Sequence, residues 1–148
     1  MARALIVGCG CRGRELGGRL LAGGWAVRGT SRREEGLREI EAAGIEPAEA
    51  DPDRPGTILE LVGDVAVLVL LFGGFSGSEE GLAAIHGPRL ERLLEHLVET
   101  PVRGVVYEGT EKGAEVLRNA ERTWRIPVRV TEEGDDLASV ARDVLAGR

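Results

Sequence analysis

Cysteine, lysine, an excess of positive charge and long apolar runs are all scarce in this chain of 148 residues. The two cysteines, Cys9 and Cys11, stand one residue apart, where a mutual disulfide would be strained and would close no useful loop. A disulfide scaffold is excluded, and a reducing cytoplasm is the expected location. The longest apolar run, Val65 to Phe72, falls far short of the roughly 20 residues needed to span a bilayer. No apolar segment of secretory length opens the chain, so neither a membrane partner nor export is expected. Acidic residues outnumber basic ones 25 to 19, for a net charge of −6. Nucleic-acid binding draws on a basic face, so that class of partner is not expected. A single basic residue, Lys112, is Lys and the rest are Arg, a bias that creates no basic patch.

What is present is the composition of one folded domain: 43% hydrophobic and 30% charged residues. At this length a domain buries roughly 70% of the surface its unfolded chain exposes, enough for one core without disulfides or metals. Glycine is abundant, 22 residues, and falls between apolar runs as punctuation. Ala4 to Val7 reads as a buried strand ended by Gly8. Leu16, Leu20 and Leu21 repeat at helical spacing between Arg12 and Gly23, with Gly13 and Gly17 one turn apart. Trp25 to Val27 is a short strand stopping at Gly29-Thr30, Arg33 to Ala43 a helix capped by Gly44, and Ile45 to Ala48 an edge strand marked by Pro47. A helix lies between Pro55 and Gly63, and Val65 to Phe72 is the most buried strand. Gly73 to Gly87 reads as a Gly- and Ser-rich loop with one helical turn near Leu82 to Ile85. Pro88 then opens a helix through Leu90, Leu93, Leu94, Leu97 and Val98, stopped by Pro101. Val102 to Tyr107, a helix from Gly113 to Arg125, Pro127 to Thr131, and a last helix through Leu137, Val140, Ala141, Val144 and Leu145 complete the alternation. Six strands alternating with helices predict an α/β fold with a parallel sheet covered on both faces, a single Rossmann domain over residues 1–148. The strand order for a dinucleotide fold is 3-2-1-4-5-6, with function at the carboxyl ends of strands one and four.

Gly8-Cys9-Gly10-Cys11-Arg12-Gly13 fits G-x-G-x-x-G between a strand and a helix, the context that gives this motif meaning. Gly8 permits the tight turn, Gly10 lets the backbone approach a pyrophosphate, and Gly13 brings helix and strand together. Cys11 lies in the same loop, and Arg12 offers a positive charge. A site for NAD would carry an acid about 20 residues on, at the end of strand two. Arg28-Gly29-Thr30-Ser31-Arg32-Arg33 stands there instead, and the hydroxyls of Thr30 and Ser31 with the guanidiniums of Arg32 and Arg33 suit a 2′-phosphate. NADP(H) is therefore expected over NAD(H), although Arg32 and Arg33 can instead pair with Glu34 and Glu35 on a solvated helix start. Asp51, after the third strand, either reaches an adenine edge or caps an ordinary turn.

The run Ala4 to Arg32, with G-x-G-x-x-G, Leu16, Gly17, Leu20 and Gly24-Trp25-x-Val27-x-Gly29-Thr30-Ser31-Arg32, resembles the extended and atypical short-chain dehydrogenase/reductases, most closely the NAD(P)-dependent epimerase/dehydratase-like proteins. The resemblance implies that Ser31 and Arg32 bind the NADP phosphate, that Asp51 approaches adenine, and that Phe72, Gly73 and Gly74 border the nicotinamide ribose. It also marks a departure. The family's chemistry uses a Tyr-x-x-x-Lys pair on the helix after strand five, and Tyr107 and Lys112, this chain's only Tyr and Lys, stand five apart and cannot share a helix face one turn apart. The C-terminal substrate domain of the extended members is not expected here either.

Three other residues offer acid or base groups: His86 in the loop after strand four, Tyr107, and Thr110 near the family's Ser position. None has an evident catalytic partner, and His86 reads more readily as a helix-end residue beside Gly87-Pro88. His96, on the following helix, forms no metal pair with it, so no metal is expected. Cys9 and Cys11 are either reactive thiols at a helix N-terminus or small packing residues. An NADP(H)-binding domain without the standard catalytic pair is the leading expectation. An NADPH-dependent oxidoreductase or epimerase-like enzyme using a non-standard acid, acting on a small molecule, is the alternative, and a nucleotide-sensing regulatory module a further one. A homodimer is the default expectation for such a domain.

Overall fold

The computed structural model describes residues 2–73 and 79–147. β1 (Arg3–Val7) lies at the middle of a six-stranded sheet, flanked by β2 (Ala26–Ser31) and β4 (Val67–Leu71), with β3 (Glu46–Glu49) at one edge and β5 (Gly104–Glu108) leading to β6 (Val128–Thr131) at the other. Every strand pairing is parallel and the order is 3-2-1-4-5-6. The crossovers are α1 (Cys11–Ala22), α2 (Glu34–Ala42), α3 (Pro55–Leu59), then α4 (Glu79–His86) with α5 (Pro88–Leu97), and α6 (Glu111–Trp124), with α7 (Leu137–Leu145) closing the chain.

The uninterrupted apolar strands are explained by two cores. Leu5, Val7, Leu68, Leu70, Val105 and Tyr107 face one side, under α5 and α6, whereas Ala4, Ile6, Val67, Val69, Leu71 and Val106 face the other, under α1, α2 and α7. Successive residues of a strand point to opposite faces, so a strand covered on both sides must be apolar throughout. Two glycines set the spacing of these layers. A Cβ on Gly17 of α1 would overlap Ile45, and one on Gly104 would meet Val144 of α7 at 2.9 Å.

Several boundaries differ from the sequence expectation. The segment from Gly73 to Gly87 is not mainly loop: α4 occupies Glu79–His86 and packs Ile85 into the core. Two apolar residues three apart carry too little periodicity to announce a helix. Val65 and Phe72 flank β4 as buried residues outside the strand. β2 runs on through Gly29 and Thr30 to Ser31 because β3 pairs with it that far. The helix expected from Gly113 starts at Glu111, where the Thr110 side chain caps it. α5 ends at Leu97, leaving Val98 50% exposed instead of packed. No helix among the described residues is long and apolar enough to cross a membrane.

Candidate functional site

The loop from β1 to α1 ties itself to the end of β2. Gly8, at φ 81°, makes the turn. Its amide donates to Thr30 Oγ1 at 3.4 Å, the Cys9 amide donates to the Thr30 carbonyl at 3.0 Å, and the Gly10 amide folds back on the Gly8 carbonyl at 2.9 Å. Buried Thr30 thus anchors the loop. The Cys9 side chain wedges between β2 and α1: a Cβ on Gly29 would stand 2.7 Å from its sulfur, and one on Gly13 3.2 Å. Burial pushes the Cys9 thiol up to about 11, against the opposing pull of Arg14. Cys9 is therefore a packing residue and not the reactive thiol that its place near a helix start allowed.

With the amides of residues 8 to 10 committed, the anion-binding capacity lies in the first turn of α1. Gly10 is the N-cap residue, no side chain caps the helix, and no acid occupies its first turn. The amides of Cys11, Arg12 and Gly13 are the helix-opening donors that lack an intrahelical acceptor, at the positive end of the macrodipole. Of these three residues Cys11 lines a cleft of about 840 Å³, together with Gly8, Gly10 and Arg14. Gly10 is exposed at this cleft, and a Cβ there would meet nothing within 4 Å. Protein packing does not explain that glycine.

The cleft continues from Gly8, Gly10 and Cys11 past the end of β2, where Thr30, Ser31, Arg32 and Arg33 line it, and along α2 to Glu35, Gly36 and Glu39. Gly36 lets α2 press on Ser31, whose hydroxyl a Cβ would overlap. Ser31 Oγ also accepts from the Arg33 amide at 3.1 Å. Glu34 and Glu35 stand in the first turn of α2, where their charge suits the helix dipole. Arg14, overlooked in the sequence, is the α1 cation that lines the cleft, paired with Glu39 at 3.2 Å. Its signal was its position directly after Gly13.

Other expected site residues lie elsewhere. Arg12 turns away from the cleft to make a two-pronged pair with Glu108 at 2.8 and 2.9 Å, and donates to the carbonyls of Glu132 and Asp135. The Glu108 bond holds its guanidinium charged, and the expected charge for a pyrophosphate is spent on tying α1 to the ends of β5 and β6. Asp51 follows the turn reading: Oδ1 accepts from the Asp53 amide at 2.9 Å, and its neighbours Ala50 and Pro52 line the cleft in its place. Phe72 is 2% exposed with its ring in the core, and Leu71 lines the cleft. Gly73 lies against Gly109, with a Cβ 4.0 Å from the Gly109 Cα. Gly74 lies outside the described residues.

Two of the three acid–base candidates, His86 and Tyr107, come together as a buried pair, and exposed Thr110 reaches it only through its backbone amide. Tyr107 Oη accepts from the Thr110 amide at 3.1 Å and lies 2.8 Å from His86 Nδ1. Burial drives the His86 pKa down and the Tyr107 pKa up. A neutral imidazole accepting the phenol proton at Nδ1 satisfies both groups. Phe72 packs edge-on against both rings at 5.9 Å. Glycine at 109 and 113 makes room, since a Cβ at either would overlap the Tyr107 hydroxyl. Thr110 Oγ1 accepts from the Gly113 amide as the α6 cap. Tyr107 is fully buried, whereas Lys112 lines a second cleft between α5 and α6. No group of three or more potential metal ligands occurs among the described residues.

No family model and no curated protein matches this sequence. Its fold does match solved structures. UDP-glucuronic acid 4-epimerase from Bacillus cereus, in complex with NAD, is 13% identical with a TM-score of 0.68 over 86% of this chain and 55% of that one. Triphenylmethane reductase from Citrobacter sp., complexed with NADP(H), is 16% identical with a TM-score of 0.65 over 88% of this chain and 48% of that one. The NAD(P)-binding domain of an exopolyphosphatase-related protein from Archaeoglobus fulgidus is 17% identical with a TM-score of 0.62, each chain covered in full. This chain spans about half the length of the epimerase and the reductase. At such identities the likeness is one of fold.

Proposed function

We propose that this protein binds NADP(H), as a Rossmann domain resembling the atypical short-chain dehydrogenase/reductases, and does so without their standard catalytic pair. The observation that carries the reading is the cleft at the start of α1, where Gly10 exposes bare backbone beside the uncapped helix start at Cys11 and the wall leads on to Ser31, Arg32 and Arg33. The pyrophosphate is held by the amides of Cys11, Arg12 and Gly13, and the 2′-phosphate by Ser31, Arg32 and Arg33. Leu71 and Ala50 supply apolar lining to the same cleft. The likeness to domains solved with NAD and with NADP(H) supports a dinucleotide as the ligand class. The bound cofactor would supply a hydride. Tyr107 joins β5 to α4 through His86 and to the turn before α6 through the Thr110 amide, while the Thr110 hydroxyl caps α6.

Calorimetric titration with NADPH and NADH tests the reading. NADPH is expected to bind more tightly, and Arg32→Ala to weaken it by roughly 1.5–3 kcal/mol through lost charge-assisted bonds, with little change for NADH. A wild-type protein that binds neither nucleotide would reduce the glycine loop to a turn.

A further inference from the structure

Of the arginines on α1, Arg14 lines the cleft. Its Nη2 stands 3.2 Å from Glu39 Oε2, across from α1 to α2, and 3.4 Å from Cys11 Sγ. Glu35 and Glu39 fall one turn apart on α2 and both line the same cleft, brought there by the close approach of Gly36 to Ser31. The cleft wall is therefore mixed: Arg14, Arg32 and Arg33 line it together with Glu35 and Glu39, and Arg14 pairs with Glu39. Arg14 and Glu39 are 23% and 49% exposed, and an ion pair of that exposure is weak.

The geometry points to the Arg14–Glu39 pair as the element by which this cleft distinguishes a phosphate monoester from a hydroxyl, with Glu39 competing against the ligand's phosphate for Arg14. The inference rests on the nucleotide reading above. A phosphate monoester carries roughly −1.5 to −2 charges at neutral pH and several acceptor oxygens. It can take both prongs of a guanidinium and displace a half-exposed carboxylate. A 2′-hydroxyl brings no charge, so Arg14 stays with Glu39 when the ligand lacks the phosphate. Glu39 thereby lowers the affinity for the phosphorylated nucleotide and leaves that for its hydroxyl counterpart nearly untouched. Glu39 is a specificity-determining residue in this scheme, acting through Arg14.

The test is calorimetric titration of the full chain with NADPH and NADH, in the wild type, Glu39→Gln, Arg14→Ala and the double variant. Glu39→Gln is expected to tighten NADPH binding by roughly three- to tenfold while NADH moves by less than about twofold. Arg14→Ala is expected to weaken NADPH by roughly tenfold. In the Arg14→Ala background, Glu39→Gln then has an effect on NADPH of less than about twofold, because the two residues act as one unit. Equal effects of Glu39→Gln on both nucleotides, no effect on either, or an undiminished effect without Arg14 would each overturn the inference. Glu39 is half exposed, so Glu39→Gln alone decides the matter if Arg14→Ala does not fold. NADPH binding that depends on Arg32 but ignores Glu39 leaves the nucleotide reading standing and removes only this inference. Failure of the wild type to bind either nucleotide removes both.

Discussion

Gly10→Ala separates a ligand cradle from a mere turn. Gly10 has φ −84° and ψ −152°, extended backbone open to alanine, and a Cβ there meets no protein atom within 4 Å. The substitution strains nothing and narrows the unfolded ensemble, a gain of about 0.4–1 kcal/mol. For a domain of this size that corresponds to a melting temperature unchanged or raised by about 1–4 °C. The same methyl occupies the space through which a pyrophosphate would reach the α1 amides. Losing one charge-assisted bond there costs about 1.5–3 kcal/mol, or roughly tenfold to a hundredfold in NADPH affinity. Gly29→Ala is the contrasting control, because its Cβ would lie 2.7 Å from Cys9 Sγ and 3.0 Å from Cys9 Cβ. Overpacking of this kind costs about 1–3 kcal/mol of stability. Differential scanning calorimetry and isothermal titration on the same samples read both quantities. A Gly10→Ala protein that binds NADPH as the wild type does would refute the cradle, and one that melts several degrees lower would refute the open geometry.

Two further outcomes follow from the buried polar groups. Tyr107→Phe leaves buried His86 Nδ1 and the part-buried Thr110 amide without their shared partner, and chemical denaturation should report a loss of about 1–3 kcal/mol. The Cys9 thiol ionises near 9.0 when unfolded and only at about 11 in the fold, so the folded state holds its proton more tightly. Stability should fall as pH rises from 9 towards 11, at up to about 1.4 kcal/mol per unit. Urea titrations at several pH values should show that slope reduced in Cys9→Ala, with the loss above pH 10 due to Tyr107, whose pKa burial also raises, persisting.

Much of the fold was legible because parallel strands covered on both faces must be apolar at every position. Ala4 to Val7 and Val67 to Leu71 announce themselves in that way, and the spacing of Leu90, Leu93, Leu94 and Leu97 identifies α5 as clearly. α4 was not legible, since Leu82 and Ile85 alone carry too little periodicity and the inward turn of His86 is set by its partner Tyr107, 21 positions on. The site was legible where backbone geometry dictates the residue, at Gly8 and Gly10, and at the end of β2 where Ser31, Arg32 and Arg33 gather. It was not legible where a long side chain chooses among distant partners. Arg12 and Arg14 are two apart and point to different sides of α1. Glu108, 96 positions along the chain, decides that Arg12 turns away from the cleft. The surroundings of the acid–base candidates were not legible for a related reason: Tyr107 is enclosed by Gly109 and Gly113, a relation that only the folded turn before α6 creates.

The most direct test of the proposal that this cleft takes a nucleotide is an amide spectrum of the isotope-labelled protein titrated with NADPH by NMR. The largest shifts are expected at Gly10, Cys11, Arg12 and Gly13 and at Ser31, Arg32 and Arg33, with the amides of β6 and α7 unmoved. A spectrum in which the α1 amides stay in place while NADPH is added to saturation would contradict the account.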